Sequence, residues 1–429
     1  MAAGKPAAGV RPPPARSGLR RFWSNLGPGI ITGAADDDPS GIATYSIAGA
    51  QFGTALLWTA WLTWPLMAAV QMTCARIGMV AGRGLAGALR QKYPRWVLAA
   101  LATALFVANT INVGADLAGM ADAAEMLTGW NSHFFVVVFG GGIAWAIVRF
   151  RYHQIASILK WLALVLFAYV IVAIYLRPNW GSVLRDAFLP HWPSGGEWGA
   201  LVAIFGTTIS PYLFFWQASQ EVEEDKALGR RILIRRPDAP PLMLAERRLD
   251  VGLGTFVSNL VMFFVILATA LTLHRNGITN PQTSRDVAEA LRPLAGRFAE
   301  MLYTLGIVGV GLLAIPTLVG SSAYAFAETF GWRQGLDRKL RGARYFYGVI
   351  ILSATLGIFL DFLDVNPVRA LYWSAVVNGV LAPFLIVVVL LTASDRRRMR
   401  GHEIPWLSRI LVAITALLML GAAVGMFVF

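Results

Sequence analysis

Charge is scarce in this sequence: 14% of its residues are Asp, Glu, Lys or Arg, against roughly 25% in soluble globular domains. With 56% hydrophobic residues and a mean hydropathy of +0.58, it has too few charges to coat a water-facing globule. Cysteine is nearly absent. The single Cys74 excludes an internal disulfide and, in its apolar surroundings, reads as core filling. Residues 1–22 are rich in Ala, Pro and Arg and contain no apolar run of the about 7 to 15 residues that a signal peptide needs. They read as a disordered basic cytoplasmic tail.

Histidine is also sparse where it would matter. His133, His153, His191, His274 and His402 all fall in loops or at the ends of apolar runs, so no imidazole is offered near mid-membrane to ligate a transition metal or relay a proton.

Long apolar runs are abundant. A helix needs about 20 such residues to cross a hydrocarbon core about 30 Å thick. The runs predict eleven spans at 26–50, 54–75, 97–115, 134–148, 155–176, 198–218, 251–273, 301–327, 346–360, 370–392 and 404–429. Lys and Arg are retained on the cytoplasmic side of membranes. With the N-terminus inside, the cytoplasmic segments hold 28 of the 37 basic residues and the outer segments 7, the other two lying near span ends. A wrong span count would scramble that alternation. The net charge of +13 is thereby distributed between spans, and no nucleic-acid partner is needed to explain it. The expected organisation is a tail (1–22) and one membrane domain (23–429), with a first half at 23–176, a second at 198–392 and an extra C-terminal span at 404–429. A cell-membrane, multi-pass monomer is expected, with its C-terminus outside.

Two spans are interrupted by polar sequence. In the first, Asp36, Asp37 and Asp38 precede Pro39, Ser40 and Gly41 between apolar flanks. A mid-membrane carboxylate costs about 2.5 to 3.5 kcal/mol even on the lenient insertion scale, so it must serve a purpose. Pro39 cannot donate a backbone hydrogen bond and disfavours helix at Asp38, which predicts an unwound stretch with free carbonyls. A carboxylate beside free carbonyls is the ligand set of a hard cation. In the sixth span Thr207, Thr208, Ile209 and Ser210 precede Pro211 and Tyr212. Broken helices at corresponding positions of two halves point to a transporter site built from inverted repeats. Neither break contains Met or Cys.

Asn109, Asn112 and Asp116 line one face of the third span, where a water-lined pathway and helix-to-helix hydrogen bonding are equally open; Asn378 is a similar single candidate. The acidic run Glu221, Glu223, Glu224 and Asp225 reads as a solvated helix end. Gly29 with Gly33 reads as close packing.

These motifs together resemble the Nramp family of divalent metal transporters, and more closely its Nramp-related magnesium-transporter branch. The anchors are Gly27-Pro28-Gly29 leading to Asp38-Pro39-Ser40-Gly41, Thr207 to Pro211, Ala115-Asp116-Leu117-Ala118, Gly311-Leu312-Leu313-Ala314, and Pro383-Phe384 followed by Thr392 to Gly401. The resemblance implies an all-α, leucine-transporter-like fold of five spans repeated inverted plus a terminal helix, holding a cation between the breaks. It implies Asp38, Gly41, Thr207 and Ser210 as the metal site. It also carries departures: Ser40 stands where Gly is usual, Gly41 where Asn is usual, Ser210 where Met is usual, Tyr212 and Gln217 where His is common, and Gly119 where Glu is common.

A thioether favours soft and borderline metals, so its replacement by hydroxyl relaxes discrimination against hard ions. The expectation drawn from these departures is uptake of hydrated Mg2+ by a secondary transporter rather than an enzyme. Asp38 and carbonyls at Gly41 and Thr207 would bind it, with no resident cofactor. Asp36, Asp37, Ser40, Asn109, Asn112, Asp116, Tyr212, Gln217 and Asn378 would lie in the outer shell or the pathway. The alternatives are a proton-coupled Mn2+ or Fe2+ importer and an amino-acid or organic-ion carrier on the same fold, the last disfavoured by three clustered aspartates.

Overall fold

A computed structural model of the protein describes residues 28–150, 162–227, 241–363, 365–399 and 401–429. The expected tail (1–22) and the beginning of the expected fifth span (155–161) lie outside the described residues. The secondary structure of the described residues is helical, with no strand among them. The long helices are α1 (Pro28–Asp36), α2 (Pro39–Phe52), α3 (Trp58–Ala81), α4 (Arg95–Thr128), α5 (Ser132–Arg149), α6 (Phe167–Tyr175), α7 (Glu197–Thr208), α8 (Pro211–Ala227), α9 (Pro241–Thr272), α10 (Ala299–Phe330), α11 (Arg344–Asp361), α12 (Pro367–Ala393) and α13 (Trp406–Val428). Among the described residues, eight helical stretches, with α7 and α8 taken together, are long and apolar enough to cross a membrane. The other three expected spans are met by the broken pair α1 and α2, by α3, and by the shorter apolar stretch ending in α6.

Both interruptions lie where the prolines place them. α1 stops at Asp36 and α2 starts at Pro39, with Asp38 extended at φ −73°, ψ 171°. Pro39 fits the first position of a helix because the N–H it lacks would have had no partner there. In the same way α7 ends at Thr208 and α8 begins at Pro211. These broken helices form the centre: 89% of the apolar window in α7–α8 is buried, against 22% in α5. α5, α11 and α13 turn most of their surface outward, where lipid would lie.

Lipid gives apolar helices no hydrophobic reason to associate, so close backbone approach by small residues matters. A carbon added at Gly33 of α1 would fall 2.4 Å from the Gly254 carbonyl oxygen on α9, and one added at Gly206 of α7 would fall 2.0 Å from the Ala375 carbonyl oxygen on α12. Both contacts are open only to glycine. They clamp each broken helix against a continuous one, so the breaks are held by rigid neighbours.

Two boundaries differ from expectation. α4 runs to Thr128 rather than ending near Ala115, and its 34 residues make a rod of about 50 Å. The acid at Asp116 does not end the helix because Asn112, one turn earlier, donates to it from within the helix. α9 begins at Pro241 rather than near Val251, since its charged first turns are stabilised by ion pairs rather than by lipid.

Candidate cation site

The unwound stretch between α1 and α2 is organised by its own carboxylate. Asp38 caps α2: its Oδ1 accepts from the Gly41 amide and the Ser40 hydroxyl, each at 2.7 Å. Its Oδ2 accepts from Asn112 Nδ2 of α4 at 3.1 Å. A carboxylate capping a helix N-terminus is held both by hydrogen bonds and by the positive end of the helix dipole. Asp38 is therefore fixed in direction before any ion arrives.

Asn112 spends both amide protons on acids, the second on Asp116 Oδ2 at 3.0 Å, and its own oxygen accepts from Asn378 of α12 at 2.9 Å. One amide thus joins α2, α4 and α12 around the break. The Asn378 oxygen, fully buried, has no hydrogen-bond partner among the described residues.

The second break faces the first. Thr207 Oγ1 lies against Gly41, where an added carbon would meet it at 3.0 Å and Asp38 Oδ1 at 3.4 Å. It sits beside the Asp38 carboxylate without an aligned hydrogen bond. Ser210 Oγ lies 2.8 and 2.6 Å from the Gly206 and Thr207 carbonyl oxygens, its one proton shared between them, and so covers the Thr207 carbonyl that Pro211 cannot pair. Tyr212 OH reaches across to the Ala35 carbonyl oxygen at 3.0 Å, satisfying the open end of α1. Each break is thus partly closed by a side chain of the second break or of α8.

Asp36 and Asp37 turn toward α9, where Ser258 Oγ lies 2.8 Å from Asp36 Oδ2 and 3.2 Å from Asp37 Oδ1. A hydroxyl has one proton for these two acceptors, and Asp36 Oδ1 has no partner among the described residues. Asn109 stands apart. Its amide donates to the Leu318 carbonyl and to the Ser321 and Ser322 hydroxyls of α10, so it ties two helices together. Gln217, two turns beyond Ser210, bonds Thr32 of α1 and Glu221 rather than Asp38.

That contact leads into a cluster the sequence did not reveal. Arg247 of α9 lies 2.9 Å from Glu221 and 2.7 Å from Asp250, and it also pairs with Glu224. Asp250 in turn accepts from the Gly29 amide at 2.8 Å, capping the first turn of α1 from a neighbouring helix. The expectation of a solvated acidic run fails for Glu221, which is buried, because an arginine on the next helix pairs with it. Arg247 sits outside the apolar window by which span seven was recognised, and its spacing to Glu221 carries no local signal.

Asp38, Asn112, Thr207 and Ser210 are each at most 1% exposed. The group is sealed on both sides, and an ion could reach it only if helices move. The arrangement offers one directed carboxylate, side-chain oxygens and unwound backbone between two half-helices.

The Nramp family description, "Natural resistance-associated macrophage protein-like", matches residues 29–429. The chain belongs to the Nramp family. It is 25% identical over 396 residues to the divalent metal cation transporter MntH of Deinococcus radiodurans, covering 88% of this chain and 84% of that one. It is 27% identical over 322 residues to the protein of the same name from Yersinia pestis, covering 72% of this chain and 73% of that one. Among solved structures, the manganese transporter of Eremococcus coleocola superposes with a TM-score of 0.73 at 19% identity, covering 97% of this chain and 90% of that one. The inward-facing form of Mhp1 superposes with a TM-score of 0.54 at 14% identity, covering 92% and 90%. The fold is leucine-transporter-like.

Proposed function

We propose that this chain is a secondary transporter that moves a divalent metal cation across the cell membrane by alternating access, holding its cargo at Asp38 between the two broken helices. The observation that carries this reading is the contact of the two breaks: a buried, pre-directed carboxylate at Asp38 packs against Thr207 of the opposite break. The named activity of the MntH relatives supports it. A half-helix N-terminus could hold an organic carboxylate, but Asp36, Asp37 and Asp38 together would repel one.

The manganese transporter among the similar structures favours Mn2+ as the cargo over the Mg2+ expected from the sequence, while the MntH relatives are named for divalent metal cations in general. Carboxylate, hydroxyl and amide oxygens suit Mn2+ and Mg2+ alike, so the donors at Asp38, Thr207 and Ser210 agree with Mn2+ transport. Mg2+ is the second reading, belonging to the magnesium-related branch, and Ser210 favours it by standing where a thioether is usual. No three acidic, His or Cys side chains converge to chelate an ion among the described residues. The bound ion would therefore keep part of its water, as Mg2+ commonly does.

Gly119 bears on proton coupling. A carbon added there would fall 2.7 Å from a Leu371 methyl group, and it is the lack of an acid at this position of α4 that favours uncoupled flux. The orientation with the N-terminus cytoplasmic and the C-terminus outside, and the monomeric state, belong to the same proposal.

Purified protein in liposomes loaded with a metal-sensitive and a pH-sensitive dye tests these points. Mn2+ should enter and Mg2+ in excess should compete with it, while lumenal pH stays level. Mn2+ entry unaffected by Mg2+ would remove the Mg2+ reading, acidification during entry would replace uncoupled flux by proton coupling, and no entry of either metal would contradict the transporter reading.

A further inference from the structure

The stretch from the end of α10 to the first residue of α11 is strongly basic: Arg333, Arg338, Lys339, Arg341 and Arg344 share it with a single acid, Asp337. Three of these cations do not disperse into solvent singly but surround a cavity of about 370 Å3, whose walls are Arg333, Arg341 and Arg344 together with the aromatic rings of Trp332 and Tyr345. Arg344 lies 4.8 Å from the Tyr345 ring centroid and donates to its hydroxyl at 3.1 Å. Trp332 packs against Tyr345 at 5.2 Å between centroids. These contacts restrain the guanidinium and give the cavity an apolar wall beside a charged one. Arg333 and Arg341 have no carboxylate partner among the described residues. The floor of the cavity is the first turn of α11, whose N-cap Ala343 supplies no side-chain hydrogen bond. Amide hydrogens at such an end attract anions.

The neighbours place this cavity at a membrane surface. Phe330, Leu340 and Tyr345 expose apolar surface around it, and α10 and α11 run from it into the apolar part of the molecule. Trp and Tyr concentrate at the level of lipid headgroups, and the excess of Lys and Arg in this loop is the mark of a cytoplasmic one. Guanidinium groups bind phosphate in a two-pronged fashion that ammonium groups cannot match.

We propose that Arg333, Arg341 and Arg344, with Trp332 and Tyr345, form a binding site for a phosphate-bearing anion, namely the headgroup of an anionic phospholipid of the inner leaflet. The phosphate lies among the three guanidinium groups beside the first turn of α11, and the acyl chains lie along the outward face of the helices beside the exposed Phe330. The site is separate from the cation site and does not depend on the transport reading.

The test uses the full-length protein in lipid nanodiscs of phosphatidylcholine, titrated with phosphatidylglycerol and followed by retained lipid in native mass spectrometry. An Arg333→Gln, Arg341→Gln, Arg344→Gln variant should bind phosphatidylglycerol on the order of a hundredfold more weakly, from about fivefold per basic group near an anionic lipid. An Arg338→Gln, Lys339→Gln variant removes charge from the same loop but not from the cavity wall, and it should lose no more than about threefold. Thermal unfolding in phosphatidylcholine should be the same for all three proteins, so a lost interaction is not mistaken for a lost fold. Excess inorganic phosphate should leave the bound lipid in place. Equal retention by the triple variant and the wild type would overturn the proposal, as would losses that simply follow the number of charges removed. Displacement by inorganic phosphate would overturn the lipid as the source of the anion.

Discussion

At the scale of single residues, the site depends on oxygens that already have structural work. Ser210 covers the Thr207 carbonyl, so replacing it changes two things together. In Ser210→Met the carbonyl is released and a thioether enters, and thioethers prefer softer metals. The ratio of Mn2+ to Mg2+ flux should rise by at least about tenfold, the factor given by 1.4 kcal/mol of added preference; an unchanged ratio in a competition assay would show that this position does not touch the ion. Tyr212→Phe removes the hydroxyl that donates to the Ala35 carbonyl. Leaving a buried acceptor unpaired costs about 1 to 3 kcal/mol, so the melting temperature in detergent should fall, and a melting temperature equal to the wild type would mean that another group caps α1. The identities at Asp38, Ser210 and Tyr212 were legible in the sequence because proline marks both breaks. Ser258 was not, since a serine in an apolar span has no distinctive pattern until Asp36 and Asp37 are placed opposite it.

At the scale of elements, α1 is fastened at both ends. Its unwound end is held by Tyr212, and its first turn is capped by Asp250 and tied through Thr32 to Gln217, Glu221 and Arg247. Removing one partner from a buried charge cluster costs about 3 to 5 kcal/mol because the remaining charges stay desolvated. In Arg247→Gln three carboxylates are left together, and α1 should separate from α8 and α9. Thr32 is buried in the wild type and so is the single native Cys74, which makes Thr32→Cys a clean reporter. Its reaction with a hydrophilic thiol reagent should speed up at least about tenfold in the Arg247→Gln background; an unaltered rate would show that the cluster does not hold this end closed. Little of this was legible beforehand. Hydropathy finds the apolar part of α9, whereas the charged turns that hold α1 precede it, and the acids of α8 look solvated until Arg247 is set beside them.

At the scale of the whole molecule, the fold could be read early because a membrane removes choices: backbone groups must pair within helices, basic residues mark one side, and breaks are tolerated only where they line something. The length of α4 and the placement of Asn109 escaped the same reasoning. The first depended on Asp116 finding Asn112, and the second on which neighbour the polar face of α4 meets. What the whole assembly does with its sealed centre follows from Asp38. Asp38→Asn keeps an oxygen that can accept from the Gly41 amide and so preserves the cap, while it removes the charge that would attract a cation. Uptake of Mn2+ into proteoliposomes by this variant, beside the wild type and with matched thermal stability, is the most direct measurement. Initial uptake should fall at least about tenfold, since 1.4 kcal/mol of lost attraction already produces that factor. Wild-type uptake by a stably folded Asp38→Asn protein would contradict the account.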